Sequence, residues 1–272
     1  MVDKAIVIGI VQGDYGVDPL DNFRRTSELL RNGIREADLI ILPEYSMIDP
    51  LTGLSPKELF ERAEDLEDSR YLSLLSDLSS KHGIPILAHF IERTDREPLC
   101  RSSSVLVKPS GGYERIYSKI HLFDAYGYRE SNYFLPGGRL SKEIVVNGFR
   151  IRVAICFDIR FPELFRSYAL EGADLVVIHS GWVRGPLKED MLEFLGRSRA
   201  HENTYWVVIA NRYGDRYTGR SMVIDPFGVK VYELGHGVRY GEYLIDYSRV
   251  LEARKILPVL EKAGEKWVIK LR

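Results

Sequence analysis

A chain of 272 residues, 45% hydrophobic and 28% charged, has the composition of a folded globular protein rather than a disordered one. Its formal net charge of −1 gives no global reason to bind nucleic acid or an anionic membrane surface. No apolar run approaches the roughly 18 residues of a membrane span, and the N-terminal stretch MVDKAIVIGIVQGD lacks a small-residue cleavage site. Two cysteines, Cys100 and Cys156, are too few for a disulfide framework and point to a reducing, cytoplasmic compartment.

In chain order, residues 5–11 are apolar and β-branched and predict a strand buried on both faces. Residues 19–37 set Leu20, Phe23, Leu29, Leu30 and Ile34 among charges, the pattern of an amphipathic helix. A short strand over 39–42 stops at Pro43, and Glu44 follows at once. Helices are predicted over 56–66 and 70–81, the second closed by Gly83. A strand over 84–91 and a polar turn over 94–98 lead to a hairpin of 104–107 with 113–117, whose second strand runs into Lys119. Residues 123–140 are rich in Tyr and Gly and have no periodicity; they predict a long surface loop of the kind that often carries function. A second hairpin, 144–146 with 149–155, turns at Asn147-Gly148.

That hairpin ends in Cys156. A turn leads on to Pro162, a residue favoured at helix starts, and Leu164, Phe165, Tyr168 and Ala169 give residues 163–171 a helical spacing. A cysteine between a strand end and a helix start has two readings. It is an inert core thiol, or a nucleophile whose pKa the helix N-terminus lowers toward the thiolate. Further strands are predicted over 175–178, 205–210 and 240–245, a helix over 187–203, and a hairpin of 221–224 with 229–232. Strands and helices mix throughout, without a repeat or a linker. The expectation is a single α/β domain over 1–272 with helices covering the outer faces of its sheets.

Glu44, Lys119 and Cys156 share one placement, at or just beyond the C-terminal end of a strand, where ligands gather in α/β folds. Singly, Glu44 reads as a solvated loop carboxylate and Lys119 as a surface cation; together beside Cys156 they make a chemical site. A thiol of pKa about 8.5 is mostly protonated at pH 7, and a carboxylate can take its proton during attack. An ammonium with a backbone N–H can hold the oxyanion, and a thioester splits one hard step into two. Asp158 and Arg160 fit a pair that holds the turn better than a catalytic pair. His121 offers a Cys–His alternative, although no thiol-protease signature surrounds Cys156. The six histidines lack metal-ligand spacing and the Gly-Gly pairs form no phosphate loop, so neither metal nor cofactor is expected.

The stretches ILPEYS around Glu44, YSKIHLFD around Lys119 and VAICFDIRFPEL around Cys156 resemble, in order and spacing, the three motifs of the nitrilase superfamily of carbon–nitrogen hydrolases. RSRAHENTYWVVIANRYG and GRSMVIDPFGVKV resemble its downstream helix, strand and hairpin, so the resemblance covers nearly the whole chain. It implies a four-layer α-β-β-α sandwich with a Glu–Lys–Cys site and no metal or cofactor. Glu44 would be the general base, Lys119 and the N–H of Phe157 the oxyanion hole, and Glu130 an orienter of substrate or of Lys119. The 123–140 loop and residues 180–186 would line the substrate pocket, with Trp182 either in its wall or in the core. The implied activity is hydrolysis of a small linear amide through a Cys156 thioester, releasing ammonia and a carboxylate. A nitrilase or N-carbamoyl hydrolase would use the same residues, and acyl transfer to an amine the same thioester. A non-catalytic scaffold that keeps the fold is the reading of a different class. The resemblance also implies a homodimer or larger homo-oligomer, for which the tail over 257–272, with Trp267, Val268, Ile269 and Leu271, is a candidate contact. A single glutamine, Gln12, against abundant Glu, Lys and Arg fits a heat-adapted protein.

Overall fold

The computed structural model describes residues 4–264. The apolar tail residues Trp267, Val268, Ile269 and Leu271 lie outside the described residues. Strands β1 (Ala5–Gln12), β2 (Leu39–Ile41), β3 (Ile86–Glu92), β4 (Arg101–Val107) and β5 (Tyr113–Ser118) build the first sheet. A small ribbon, β6 (Asp124–Ala125) with β7 (Tyr128–Arg129), follows. Strands β8 (Ile144–Val146), β9 (Phe149–Ile155), β10 (Leu175–Ser180) and β11 (Trp206–Asn211) belong to the second sheet. A ribbon of β12 (Tyr213–Gly214) and β13 (Tyr217–Thr218) intervenes before β14 (Met222–Ile224) and β15 (Lys230–Glu233) complete that sheet. The chain then returns to the first sheet with β16 (Arg239–Asp246). The sheet orders are β16-β1-β2-β3-β4-β5 and β15-β14-β11-β10-β9-β8. Strands β1, β2 and β3 run parallel, as do β9, β10 and β11, while β16 pairs antiparallel with β1 from Ala5–Asp246 to Gln12–Arg239.

The continuous apolar strands have a simple cause: each face of the first sheet meets a different core, and alternate residues serve each. Ile6, Ile8 and Ile10 of β1, Leu39 and Ile41 of β2, and Leu87 of β3 join Ile151, Val153, Val177 and Val208 in the cluster that holds the second sheet. Ile40, Ile86, Ala88 and Phe90 point the other way, toward Leu30 of helix α1 (Pro19–Gly33) and Tyr71, Leu72 and Leu75 of α3 (Arg70–His82). Helices α4 (Pro162–Leu170) and α5 (Lys188–Asn203) cover the second sheet through Leu164, Phe165, Leu192 and Ala200. The architecture is a four-layer α-β-β-α sandwich. Asp18 caps α1, Ser69 caps α3, and α3 stops at Gly83, whose φ of 70° is the left-handed conformation that glycine adopts without strain.

Three expectations change. Helix α1 ends at Gly33 rather than at 37, because the Glu242 carboxylate accepts from the backbone N–H groups of Arg35 and Glu36 and ties that stretch to β16. Helix α2 (Pro56–Arg62) stops short of the expected 66, because Glu64 pairs with the end of β3. The 123–140 stretch is not simply a surface loop. It carries the β6–β7 ribbon and a 3₁₀ turn at Glu130–Asn132, and it buries Glu130 and Phe134. Residues Tyr133 and Leu135 bond with Cys100 at the start of β4 and pull the stretch inward.

Candidate active site

Cys156 follows β9 directly and heads a 3₁₀ turn, Cys156–Arg160, with a φ of 43° that a non-glycine residue adopts only when its surroundings hold it. Asp158 supplies the hold. Its carboxylate accepts from the N–H of Ile155 at 3.0 Å, the hydroxyl of Tyr117 at 2.8 Å and the N–H of His121 at 3.0 Å. His121 Nδ1 also lies 2.7 Å from Asp158, and its ring stacks on Phe161 at 3.6 Å. The expected Asp158–Arg160 pair does not form. Arg160 points the other way, with Nη2 3.0 Å from the sulfur of Met191 and its guanidinium 4.9 Å from the Trp182 ring centroid.

From the first sheet come Glu44, just past β2, and Lys119, just past β5, both buried. Lys119 Nζ donates to Glu44 Oε1 and to Glu130 Oε1, each at 2.8 Å. The second Glu44 oxygen accepts from the N–H of Gly181 at 2.9 Å, beyond the end of β10. Glu130 Oε1 also accepts from the Tyr45 hydroxyl at 2.9 Å, and its other oxygen from the N–H of Phe123. The Ser180 hydroxyl donates to the Cys156 sulfur at 3.9 Å, and the Glu44 carboxylate lines the same cleft. Each sheet therefore contributes part of one cluster.

Burial works against a charged Lys119, but Glu130 and Glu44 outweigh it and hold its pKa well above the ordinary value. Glu44 is pushed up by burial, with Lys119 opposing and Glu130 adding to the rise. The thiol of Cys156 is pushed up as well, by burial first and then by Glu44. This overturns the expected lowering by a helix N-terminus. Helix α4 begins only at Pro162, and the half-buried thiol sits in a cleft beside a carboxylate rather than at a helix N-terminus. At rest it is a neutral thiol next to a proton acceptor.

Glu44, Lys119, Cys156, Phe157 and Trp182 all line one cleft, and Glu130, bonded to Lys119, lies outside its lining. Phe157 is the second residue of the 3₁₀ turn, a position whose N–H has no acceptor within the turn. Trp182 is both wall and core: it lines the cleft, is 5% exposed, and its Nε1 donates to the carbonyl of Lys188 at 2.7 Å. The remaining wall is aromatic and cationic, with Phe123, Tyr128, Arg160 and Lys188. Arg160 Nε is buried without a partner, and Lys188 Nζ sits 3.8 Å from the Tyr126 ring centroid; neither forms an ion pair among the described residues. Sequence reasoning had not singled out Tyr45 or Lys188, whereas Gly181 falls within the expected 180–186 stretch. Tyr45 adjoins Glu44, and Lys188 lies just past that stretch. Among the described residues no group of three His, Cys, Asp or Glu could hold a metal ion, and no helix is long and apolar enough to cross a membrane.

Residues 7–255 match the carbon-nitrogen hydrolase family. Deaminated glutathione amidase of Mus musculus is 32% identical over 259 residues, covering 89% of this chain and 78% of its own. The 2-oxoglutaramate amidase of Bacillus subtilis (strain 168) is 28% identical over 253 residues, covering 91% of this chain and 92% of its own. The crystal structure of a CN-hydrolase superfamily protein from Xanthomonas campestris, with an arsenic adduct in its active site, matches at a TM-score of 0.85 and 26% identity over 98% of this chain and 99% of that one. With these matches over a sandwich of this architecture, the chain belongs to the carbon-nitrogen hydrolase family of the nitrilase superfamily.

Proposed function

We propose that the protein hydrolyses small linear amides bearing a carboxylate, through a thioester on Cys156. As Sγ attacks the amide carbon, Glu44 takes the thiol proton, and the carbonyl oxygen becomes an oxyanion held by Lys119 Nζ and the Phe157 N–H. Collapse breaks the C–N bond, and Glu44 returns its proton to the departing ammonia. Water then attacks the thioester while Glu44 takes a proton again, and the second collapse releases the carboxylate and restores the thiol. A carboxylate whose pKa is raised suits a group that must both take and give a proton. Glu130 keeps Lys119 charged and in place.

The observation that carries this reading is the meeting of Cys156, Glu44 and Lys119 in one cleft, with Lys119 2.8 Å from Glu44. The carboxylate requirement rests on Arg160 and Lys188, two cations in the wall that lack an ion-pair partner among the described residues. Two relatives named as amidases support an amide substrate. The test is ammonia release from ω-amides of dicarboxylic acids, neutral amides, N-carbamoyl compounds and nitriles, with wild type beside Cys156→Ala at moderate and high temperature. Release from the ω-amides, lost in the variant by about 10⁴-fold or more, is the expected result. Turnover confined to nitriles or carbamoyl compounds would replace the substrate class. Silence across the whole panel would favour the scaffold reading.

A further inference from the structure

Two histidines that the reaction does not use lie beneath the cluster. His89 in β3 and His179 in β10 are fully buried, come from the two different sheets, and have ring centroids 6.3 Å apart. Their tautomers follow from their partners. The Tyr45 N–H can only donate, so His89 Nδ1, 3.1 Å away, accepts, and the ring proton sits on Nε2, 2.8 Å from Ser102 Oγ. The Leu42 carbonyl can only accept, so His179 Nδ1 carries the proton at 2.6 Å, and its Nε2 accepts from Ser104 Oγ at 2.8 Å. Burial lowers the pKa of both rings, to about 4 for His179, so both stay neutral near pH 7.

Their partners matter more than the rings themselves. Tyr45 has a φ of 60°, a left-handed conformation that a bulky residue adopts only when other contacts impose it. Its N–H bond to His89 is such a contact. The turn fixed there directs two groups at once: the preceding Glu44 side chain toward Lys119 and Gly181, and the Tyr45 hydroxyl toward Glu130. His179 acts on the same turn from the other sheet, by holding Leu42 two residues before Glu44.

We propose that His89 is a positioning residue for the amide hydrolysis: by accepting the Tyr45 N–H it fixes the turn that aims Glu44 and, through Tyr45, Glu130 at Lys119. This rests on the Glu44–Lys119–Cys156 reading above. A hydrocarbon side chain would fill the apolar strand ILAHFIE without the desolvation that an imidazole pays there, so its acceptor nitrogen is the property that Tyr45 requires.

Two substitutions separate that nitrogen from the rest of the ring. His89→Asn places an amide oxygen where Nδ1 lies and keeps an acceptor for Tyr45. His89→Gln places its amide near Nε2, keeps a partner for Ser102, and leaves the Tyr45 N–H unpaired. Both remove the ring, and thermal melting measures the damage they share. In the full chain, His89→Gln is expected to lower kcat about 10²-fold with KM little changed, while His89→Asn stays within a few-fold of wild type. Equal kcat in two folded variants, or a change in KM alone, overturns the inference. If His89→Gln does not fold, His89→Asn decides alone: retained kcat supports the inference, and a folded variant with kcat down about 10²-fold overturns it. Wild type and Cys156→Ala run beside them. A silent wild type refutes the amidase reading itself, whereas an active wild type with indistinguishable variants refutes only the role of His89.

Discussion

The floor of the cleft and its wall treat charge in opposite ways. On the floor, Lys119 Nζ has two carboxylate partners, and both oxygens of Glu44 and of Glu130 are taken by N–H, ammonium or hydroxyl donors. In the wall, the Arg160 guanidinium meets a sulfur and aromatic faces and has no carboxylate partner among the described residues, and Lys188 rests on Tyr126. A floor whose dipoles are already oriented needs no reorganisation as charge develops, which is what electrostatic catalysis requires. A wall with unpaired cations can offer its charge to a ligand. Floor residues should therefore govern kcat and stability, and wall residues KM.

The largest effect expected is that of Lys119→Met. It removes an oxyanion donor, costing about 10²–10³ in kcat, and leaves two buried carboxylates without their cation, destabilising the fold by about 3–5 kcal/mol. Steady-state kinetics and urea unfolding measure the two, and a variant of normal stability would dissolve the proposed distinction between floor and wall. An intermediate effect concerns pH. Glu44 must be ionised to accept the thiol proton, and burial raises its pKa, so the acid limb of kcat/KM should lie above the ordinary carboxylate range. Below that limb the rate falls about tenfold per pH unit. Because Glu130 contributes to the rise, Glu130→Gln should move the limb downward; a limb that stays put would take Glu44 out of the base role. The smallest effect belongs to the wall. Arg160→Met and Lys188→Met should each raise KM about tenfold for a carboxylate-bearing amide, the scale of one charged hydrogen bond. Neither should change kcat or KM for a neutral amide, and a fall in kcat alone would move these residues to the floor.

Much of this was legible in the sequence, for definable reasons. The strand ends could be read because β-branched runs stop at Pro43, Lys119 and Cys156, and the fold class followed from continuous apolar strands mixed with amphipathic helices. The state of the thiol was not legible. Proximity in sequence to Pro162 suggested a helix dipole, whereas the thiol's pKa is set by burial and by Glu44, which lies 112 positions earlier in the chain. The Asp158–Arg160 pair failed for a similar reason: Asp158 meets Tyr117 and His121 across the sheets instead. His89 did leave a signal, an ionisable residue inside the apolar run ILAHFIE, and a polar residue in a strand buried at every position implies a specific partner.

The pairing of β16 with β1 carries a consequence for biosynthesis. Strand β1 has one side covered by β2, but its other side waits for residues 239–246, which are made more than 200 residues later. Until they appear, the backbone edge of β1, with Ile6, Ile8 and Ile10 beside it, stays open to any passing strand. The first sheet, which carries Glu44 and Lys119, thus becomes safe from mispairing only once residues 239–246 have been made. Stalled or prematurely terminated chains are then the aggregation-prone form of this protein.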